Sequence, residues 1–406
     1  MLWTGLLEGV AMLWFGVPFL LHEARCRRAL AAVEDHAVQE APPQVCSRTT
    51  VLLPTWNEAS VIERRLDNLA AQRINGTGPG AAGLRLVVID SASDDATVER
   101  AAAWLDANPE AFASHDVLLM GSRKGKTAAV ATALTHLREA QHTDVVVMVD
   151  ADATCAEGSL AVLLGCFSNE QVGAAGGTPK RRGATAREAE HRRRFSNLRR
   201  AEGAMGATPF LEGSLLAFRL GALPDEALDP TSNADDAQIT LAIAAAGWRT
   251  LQQPEAIFSD RAPSSHRGRA RQRTRRARGL LRVLRRYRRL RSPSHLARTL
   301  RFQRHAHLRA PWLAVVAAVA AVLRWTVQLQ HGETPWSDPA GVGLLVAETV
   351  GLLCLVAGLL ERRLPGPLGG VSTVLTGMVP LLKAWCLELA GRPAHLWTPN
   401  ADARQE

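Results

Sequence analysis

Four carboxylates in the first part of the chain stand where short aliphatic and β-branched runs end. Glu58 follows Val51, Leu52, Leu53, Pro54 and Thr55; Asp90 follows Val87, Val88 and Ile89; Asp150 and Asp152 follow Val146, Val147, Met148 and Val149. One acid in such a place is ordinarily a loop residue or a helix cap. Several brought to one crevice repel each other, and a cation from outside offsets that repulsion. Asp150 and Asp152 bracket a single alanine, and on extended backbone residues i and i+2 point the same way. Two hard oxygen ligands so spaced suit Mg²⁺ or Mn²⁺ bridging a diphosphate. The run Arg123, Lys124, Gly125, Lys126 reads either as a solvated turn or as a flexible one that delivers a cation to phosphate oxygens. GxxxxGK[ST] does not occur, and the one GxGxxG match, Gly78 to Gly83, precedes a strand candidate instead of linking a strand to a helix, so a P-loop ATPase and a dinucleotide dehydrogenase are unsupported. The six cysteines form no CxxC pair and no Cys/His ligand spacing, which argues against a structural zinc and a disulfide framework.

The elements that must position these acids are legible from periodicity. Strand candidates at 50–54, 84–90, 117–120 and 144–150 are separated by helix-length segments, which predicts an α/β domain with a mostly parallel sheet. In such sheets ligands bind beyond the carboxyl ends of the strands, where the acids fall. With 406 residues and 47% hydrophobic content the chain exceeds one ordinary domain and has material for a substantial core.

Further apolar runs suit a bilayer. Residues 2–21 are apolar apart from Glu8 and precede Arg25, Arg27 and Arg28; positive charge after the run, not before it, marks a retained anchor with its amino terminus outside. Residues 311–329 and 340–360 are two more spans, broken by Arg324 and Glu348. The loop between them lacks Lys and Arg, whereas Arg362 and Arg363 follow the second, placing that loop outside and the residues after 360 inside. Residues 368–382 read as a span, a re-entrant hairpin or an interfacial helix. Between Asp260 and Glu333 there are 18 arginines after Arg261 and no acid, while the rest of the chain carries 30 basic against 39 acidic residues. Leu280, Leu281, Leu284 and Tyr287 recur at helical spacing against Arg282, Arg285, Arg286, Arg288 and Arg289. A nucleic-acid arm needs no such stripe, so the belt predicts a membrane-surface helix, leucines among acyl chains and arginines on anionic headgroups. The basic segment 180–200, interspersed with acids, reads as a solvated or acceptor-side helix.

From Val51 to Gly279 the chain resembles the family 2 glycosyltransferases, membrane synthases of GT-A fold that use nucleotide-diphosphate sugars. The motifs come in order: Pro54-Thr55-x-Asn57-Glu58, VVIDSASDDAT, GKTAAV, the Asp150-Ala-Asp152 element, EGSLLAFR, an acidic pair before a helix ending AAAGW, and QRTRR. The resemblance implies that the opening motif and Asp90 contact the nucleoside, Lys126 lies near the diphosphate, Asp150 contacts the nucleotide and Asp152 holds the metal. Asp235 and Asp236 fall where the family has Thr-Glu-Asp, which makes Asp236 the general base; a helix-capping role for both acids stands beside that one. Gln272, Arg275 and Arg276 occupy the register of the QxxRW element beside acceptor and diphosphate, with Gly279 behind. Arg276 replaces the tryptophan that stacks on a sugar in processive relatives, and Ala131 and Ala234 are further departures.

The resulting expectation is an inverting transferase of the inner or plasma membrane with a cytosolic catalytic domain. It divides into an anchor (1–24), a GT-A domain (48–265), basic interface helices (266–309), two or three membrane helices (310–391) and a tail (392–406). Donor, most simply a UDP-sugar, and a lipid-linked or glycan acceptor would meet at the acidic crevice, as in cell-wall or envelope polysaccharide synthesis; loops 173–182 and 205–214 would shape the sugar pocket. Rival readings are a processive polysaccharide synthase and an inactive membrane scaffold with a degenerate transferase domain.

Overall fold

A computed structural model of the chain describes residues 2–32, 39–180, 186–260, 265–290, 294–332, 334 and 339–392. All of the tail except Arg392, the first residues of the arginine-rich stretch (261–264) and most of the loop before residue 339 lie outside them. In chain order the helices are α1 (Leu2–Ala31), α2 (Pro43–Cys46), α3 (Ile62–Ala70), α4 (Thr97–Ala107), α5 (Lys126–Ala140), α6 (Ser159–Gly165), α7 (Ala186–Ala204), α8 (Asp235–Ala245), α9 (His266–Arg286), α10 (Ser294–Arg304), α11 (Ala310–Gln330), α12 (Pro339–Leu359) and α13 (Gly366–Leu389). The strands are β1 (Thr49–Thr55), β2 (Arg85–Asp90), β3 (Ser114–Leu119), β4 (Val145–Val149), β5 (Thr154–Cys155), β6 (Val172–Pro179), β7 (Leu215–Arg219) and β8 (Arg249–Ser259).

The strands form one sheet in the order β3-β2-β1-β4-β7-β6-β8-β5. The first four are all parallel, and β7 enters antiparallel to β4 and β6. The sheet is therefore mixed, with its parallel half where the sequence predicts it and its antiparallel pairings made by β4 and the later strands β5 to β8. β1 and β4 are wholly buried, as expected of strands covered on both faces. Their side chains divide between two cores: one with Leu66 and Leu105 beneath α3 and α4, the other with Val130, Leu134 and Ile243 beneath α5 and α8. Strand order reverses between β1 and β4, and at such a switch point the carboxyl ends diverge and leave a crevice. Most of the stretch 173–182, expected as a loop, belongs to β6.

Four helices, α1, α11 (continuous with α10), α12 and α13, are long and apolar enough to cross a membrane. α1 extends through Ala31, past the expected anchor boundary, because Arg25, Arg27 and Arg28 are good helix formers. It is tied to the sheet domain by His22, which meets Glu202 of α7 at 3.2 Å while Gln303 and Thr208 donate to the same carboxylate at 2.7 and 2.8 Å. Within the apolar layer Arg324 of α11 donates to Glu8 of α1 (2.8 Å) and to Glu348 of α12 (2.5 Å).

The leucine stripe of α9 corrects an expectation. Leu281 and Leu284 are fully buried against protein, not against acyl chains. Leu284 shares a cluster with Leu241 and Ala244 of α8 and with Leu296 and Leu300 of α10; Leu281 shares one with Met378, Leu381 and Ala384 of α13. Helical periodicity reveals that a face is apolar but not what covers it. Several arginines are likewise occupied by protein: Arg278 and Arg282 both reach Glu388, and Arg286 donates to the Ala227 carbonyl.

Candidate active site

The carboxyl ends of β1 and β4, the amino-terminal ends of α5 and α8, and one face of α9 enclose a cavity of about 830 Å³. Pro54, Thr55, Glu58, Lys126, Asp150, Asp152, Asp235, Asp236, Gln272, Arg275 and Arg276 all line it. Asn57 and Asp90 do not. Asn57 exchanges hydrogen bonds with Asp94. Asp90, 2% exposed, accepts from the Thr55 hydroxyl (3.0 Å) and from the Ser93 amide and hydroxyl (2.7 and 2.5 Å). It builds the β2 turn and holds the end of β1 to it.

Lys126 is the electrostatic centre. Gly125, at φ +90°, turns the chain into α5 so that Lys126 opens the helix. Its ammonium lies 2.5 Å from Asp150 and 3.2 Å from Asp235. Burial alone would lower its pKa, but Asp150, Asp235 and Asp236 together raise it, so the amine stays charged. For Asp150, burial opposes ionisation and is outweighed by Lys126 and by the Ser214 hydroxyl, which donates at 2.7 Å; its carboxyl sits below the usual range. Asp236 goes the other way: burial first, then the neighbouring Asp235, push it up to about 6 against the pull of Lys126. A carboxylate lifted in this way within a cleft is suited to act as a general base.

The backbone explains how Asp235 and Asp236 are aimed. Ala234 precedes α8 in the left-handed region (φ +67°, ψ +50°), unusual for a residue with a Cβ. α9 presses against this turn: the Asn233 side chain donates to the Arg275 carbonyl at 2.8 Å, and a Cβ on Gly279 would lie 2.6 Å from that of Ala234. Asp236, in the first turn of α8, accepts from the amides of Ala237 (2.7 Å) and Gly213 (3.2 Å) while lining the cavity.

Sequence reasoning missed three features. Arg123 stacks on the Trp56 ring, 3.4 Å from its centroid, at the cavity edge. Ser214 orients Asp150. Glu212 is met by Arg199 (2.8 Å) and Arg192 (3.6 Å), and although burial opposes its ionisation, Arg199, Arg192 and Arg276 hold it down to about 2. A signal existed: Arg192 and Arg199 are seven residues apart, two helical turns, hence on one face of α7, and Phe195, Leu198, Arg199 and Glu202 line the cavity. One face of this helix thus borders the cavity, while Arg193 and Asn197 are exposed.

Among the described residues no three His, Cys, Asp or Glu side chains group as a complete metal cage. Asp152, exposed to the cavity, and Asp150 offer one or two carboxylates. That donor set suits a divalent ion whose other ligands are phosphate oxygens and water.

A parallel sheet that turns antiparallel beyond β4, with carboxylates at the switch, is the architecture of a GT-A transferase. The chain belongs to the family described as glycosyltransferase like family 2, whose profile matches residues 45–279, and it is a glycosyltransferase. Among solved structures it is similar to PcManGT, a mannosyltransferase from Pyrobaculum calidifontis solved with GDP-Man and Mn²⁺. The TM-score is 0.71 at 26% identity, covering 96% of this chain and 99% of that one. TarS from S. aureus overlaps at a TM-score of 0.38 and 15% identity over 58% of this chain and 40% of its own, too far in shape to carry an argument. No curated protein sequence matches the chain.

Proposed function

We propose that the protein transfers a sugar, with inversion, from a nucleoside-diphosphate sugar to a hydroxyl of an acceptor supplied from the membrane. The observation that carries this is the continuity of the cavity. The same cavity is lined by Asp150, Asp152 and Lys126 and by Gln303 and His307 of the α10–α11 segment and Lys383 and Leu387 of α13, elements that belong to or adjoin the membrane helices. A donor bound beside the acids and a lipid-linked acceptor beside those helices would meet at Asp236.

In this reading Asp236 accepts the proton of the acceptor hydroxyl as the oxygen attacks the anomeric carbon in line, and a single displacement inverts that centre. Asp235 and Asp150 hold Lys126 charged beside the departing diphosphate, and Arg275 and Arg276 add positive charge from α9. Asp152, with Asp150, would hold Mg²⁺ or Mn²⁺, which when bound supplies further positive charge to the diphosphate. Thr55 and Glu58 line the donor end, with Asp90 fixing the β1 end behind them. The likeness to PcManGT supports GDP-mannose as the first donor to test ahead of a UDP-sugar. Arg276 in place of a stacking tryptophan favours single addition over processive synthesis.

The catalytic unit is assigned to 48–265 and the helices that seat it on the bilayer to 266–309. Arg25, Arg27, Arg28, Arg362 and Arg363 favour the cytosolic side for both. Nucleoside-diphosphate release in nanodiscs across GDP- and UDP-sugars, with Mg²⁺ and with Mn²⁺, tests the reading, together with product length. One sugar added per acceptor is expected. A ladder would replace this reading with a processive synthase, and no release from any donor would leave the scaffold.

A further inference from the structure

α13 has the length and composition of a membrane span, yet both of its ends are bound to the sheet domain and its adjoining helix. At the amino-terminal end Arg194 of α7 donates to the Gly366 carbonyl (3.1 Å), and Arg363, just ahead of the helix, pairs with Glu190 of α7 (2.7 Å). At the carboxyl-terminal end Glu388 accepts from Arg278 and from Arg282 of α9 at 2.7 Å each. The Arg278 guanidinium also reaches the Arg392 carbonyl, and the Trp385 indole donates to the His307 carbonyl (3.3 Å). Twenty-four helical residues extend about 36 Å, more than the ~30 Å hydrocarbon core, so a spanning helix of this length would put its ends on opposite sides of the bilayer. A domain that lies on one side can hold only one of them.

The faces of α13 agree with a different placement. Met378, Leu381 and Ala384 are buried in the cluster that contains Leu281 of α9 and Ala310 of α11. Lys383 and Leu387 line the catalytic cavity. Leu368, Val371, Val379 and Leu389, spaced to fall on one side of a 3.6-residue helix, are 43, 40, 46 and 69% exposed. Trp385 meets Trp312 edge to face at 5.9 Å, near the start of α11, a level where indoles favour the membrane–water interface. By contrast α1, α11 and α12 are joined to one another by ion pairs within their apolar runs, through Arg324, Glu8 and Glu348.

We propose that α13 does not cross the bilayer but lies in its surface on the catalytic side, its outer apolar row seated among lipid at the headgroup–acyl boundary. The chain then crosses three times, through α1, α11 and α12, and α13 is the wall between the bilayer and the membrane-side end of the cavity. This rests on membrane integration and not on the transfer chemistry, so its test needs no turnover.

The full-length protein, with Cys386 and Cys166 replaced by serine, is reconstituted in sealed vesicles of oriented protein. Single cysteines are introduced by Glu110→Cys in the sheet domain, His331→Cys after α11 and Gly391→Cys after α13, and labelled with a membrane-impermeant maleimide. Position 391 is expected to label from the same side as 110, and 331 from the opposite side. Labelling of 391 together with 331 would overturn the proposal, as would equal labelling of all three from one side, which would remove the membrane reading as well. A bimane on Val379→Cys should be quenched more by a shallow spin-labelled lipid than by one labelled deep in the acyl chain. The reverse order would refute the surface placement.

Discussion

Gly279→Ala isolates the way the fold aims its acids. Alanine ordinarily favours a helix interior over glycine by about 1 kcal/mol, so in α9 alone the change would be stabilising. The neighbourhood reverses that sign. The new Cβ would lie 2.6 Å from the Ala234 Cβ and 3.1 Å from Asn233 Oδ1. Carbon atoms rest at about 3.5–4.0 Å, so the turn or the helix has to yield by about 1 Å. Overpacking of this kind costs about 1–3 kcal/mol, enough to cancel the helix gain and leave net destabilisation. The catalytic cost should be larger, because the turn that moves carries Asp235 and Asp236, and a displacement of about 1 Å at a reacting group costs on the order of 100-fold. Nucleoside-diphosphate release at saturating donor measures that loss, with thermal unfolding run alongside. Ala234→Gly removes the other half of the clash and fits the left-handed conformation without a Cβ, so the Gly279→Ala/Ala234→Gly pair should recover most of the turnover. Full activity in the single variant, or no recovery in the pair, would refute the claim that α9 sets the position of Asp236 through this contact.

Asp236→Asn should abolish turnover while leaving donor binding intact, and in the parent enzyme kcat/KM should fall tenfold per pH unit below about 6, since the base must be unprotonated to act; a flat profile from pH 5 to 7 would remove it as base. Asp152→Ala should raise the Mn²⁺ concentration needed for half-maximal turnover, checked by metal titration, with little change in melting temperature because the residue is exposed. Glu212→Gln should destabilise by about 3 kcal/mol, since removing one partner of a largely buried ion pair leaves Arg199 uncompensated, Arg192 keeping its second partner Asp260. In the parent protein the Glu212 contribution is complete above its unfolded pKa near 4.5 and is lost as pH falls towards about 2, so the two proteins' melting temperatures should converge in acid.

The donor half of the site was legible because its residues end strands, and strands show in sequence as short β-branched runs. Asp150 and Asp152 both line the cavity, but β4 ends at Val149 and the chain turns at 151–152, so it is this turn and not the period of extended backbone that places them. Asp90 shows where that inference stops: it ends β2 as expected, but whether a strand-end carboxylate faces the ligand or its own turn depends on Ser93, three residues on, and on Thr55, which sequence does not place near it. The acceptor half was harder because it is assembled from helices distant in the chain. Arg276 and Glu212 are 64 positions apart, and their attraction exists only once the fold brings α9 near the segment ahead of β7. The leucines of α9 were recognised as an apolar face and assigned the wrong cover, since a bilayer and a neighbouring helix present the same chemistry to leucine.

The membrane segments carry the same lesson in charge. Glu8, Arg324 and Glu348 each interrupt an apolar run, and read singly each counts against its span, because an isolated ion in hydrocarbon costs several kcal/mol. In the fold one guanidinium meets both carboxylates, with Gln328 accepting from Arg324 at 3.1 Å and Trp325 donating to Glu348 at 3.0 Å. The expense that argues against each residue alone becomes the reason for three helices to associate, since separating any one would strand a charge in lipid. α13 contributes nothing to this cluster: its own acid, Glu388, is met by arginines of α9 instead. The pairing of charges thus sorts the four apolar helices as their hydropathy does not: one guanidinium links α1, α11 and α12, while α13, which packs on α11 and α12 through apolar side chains, has its acid held by the catalytic domain's arginines.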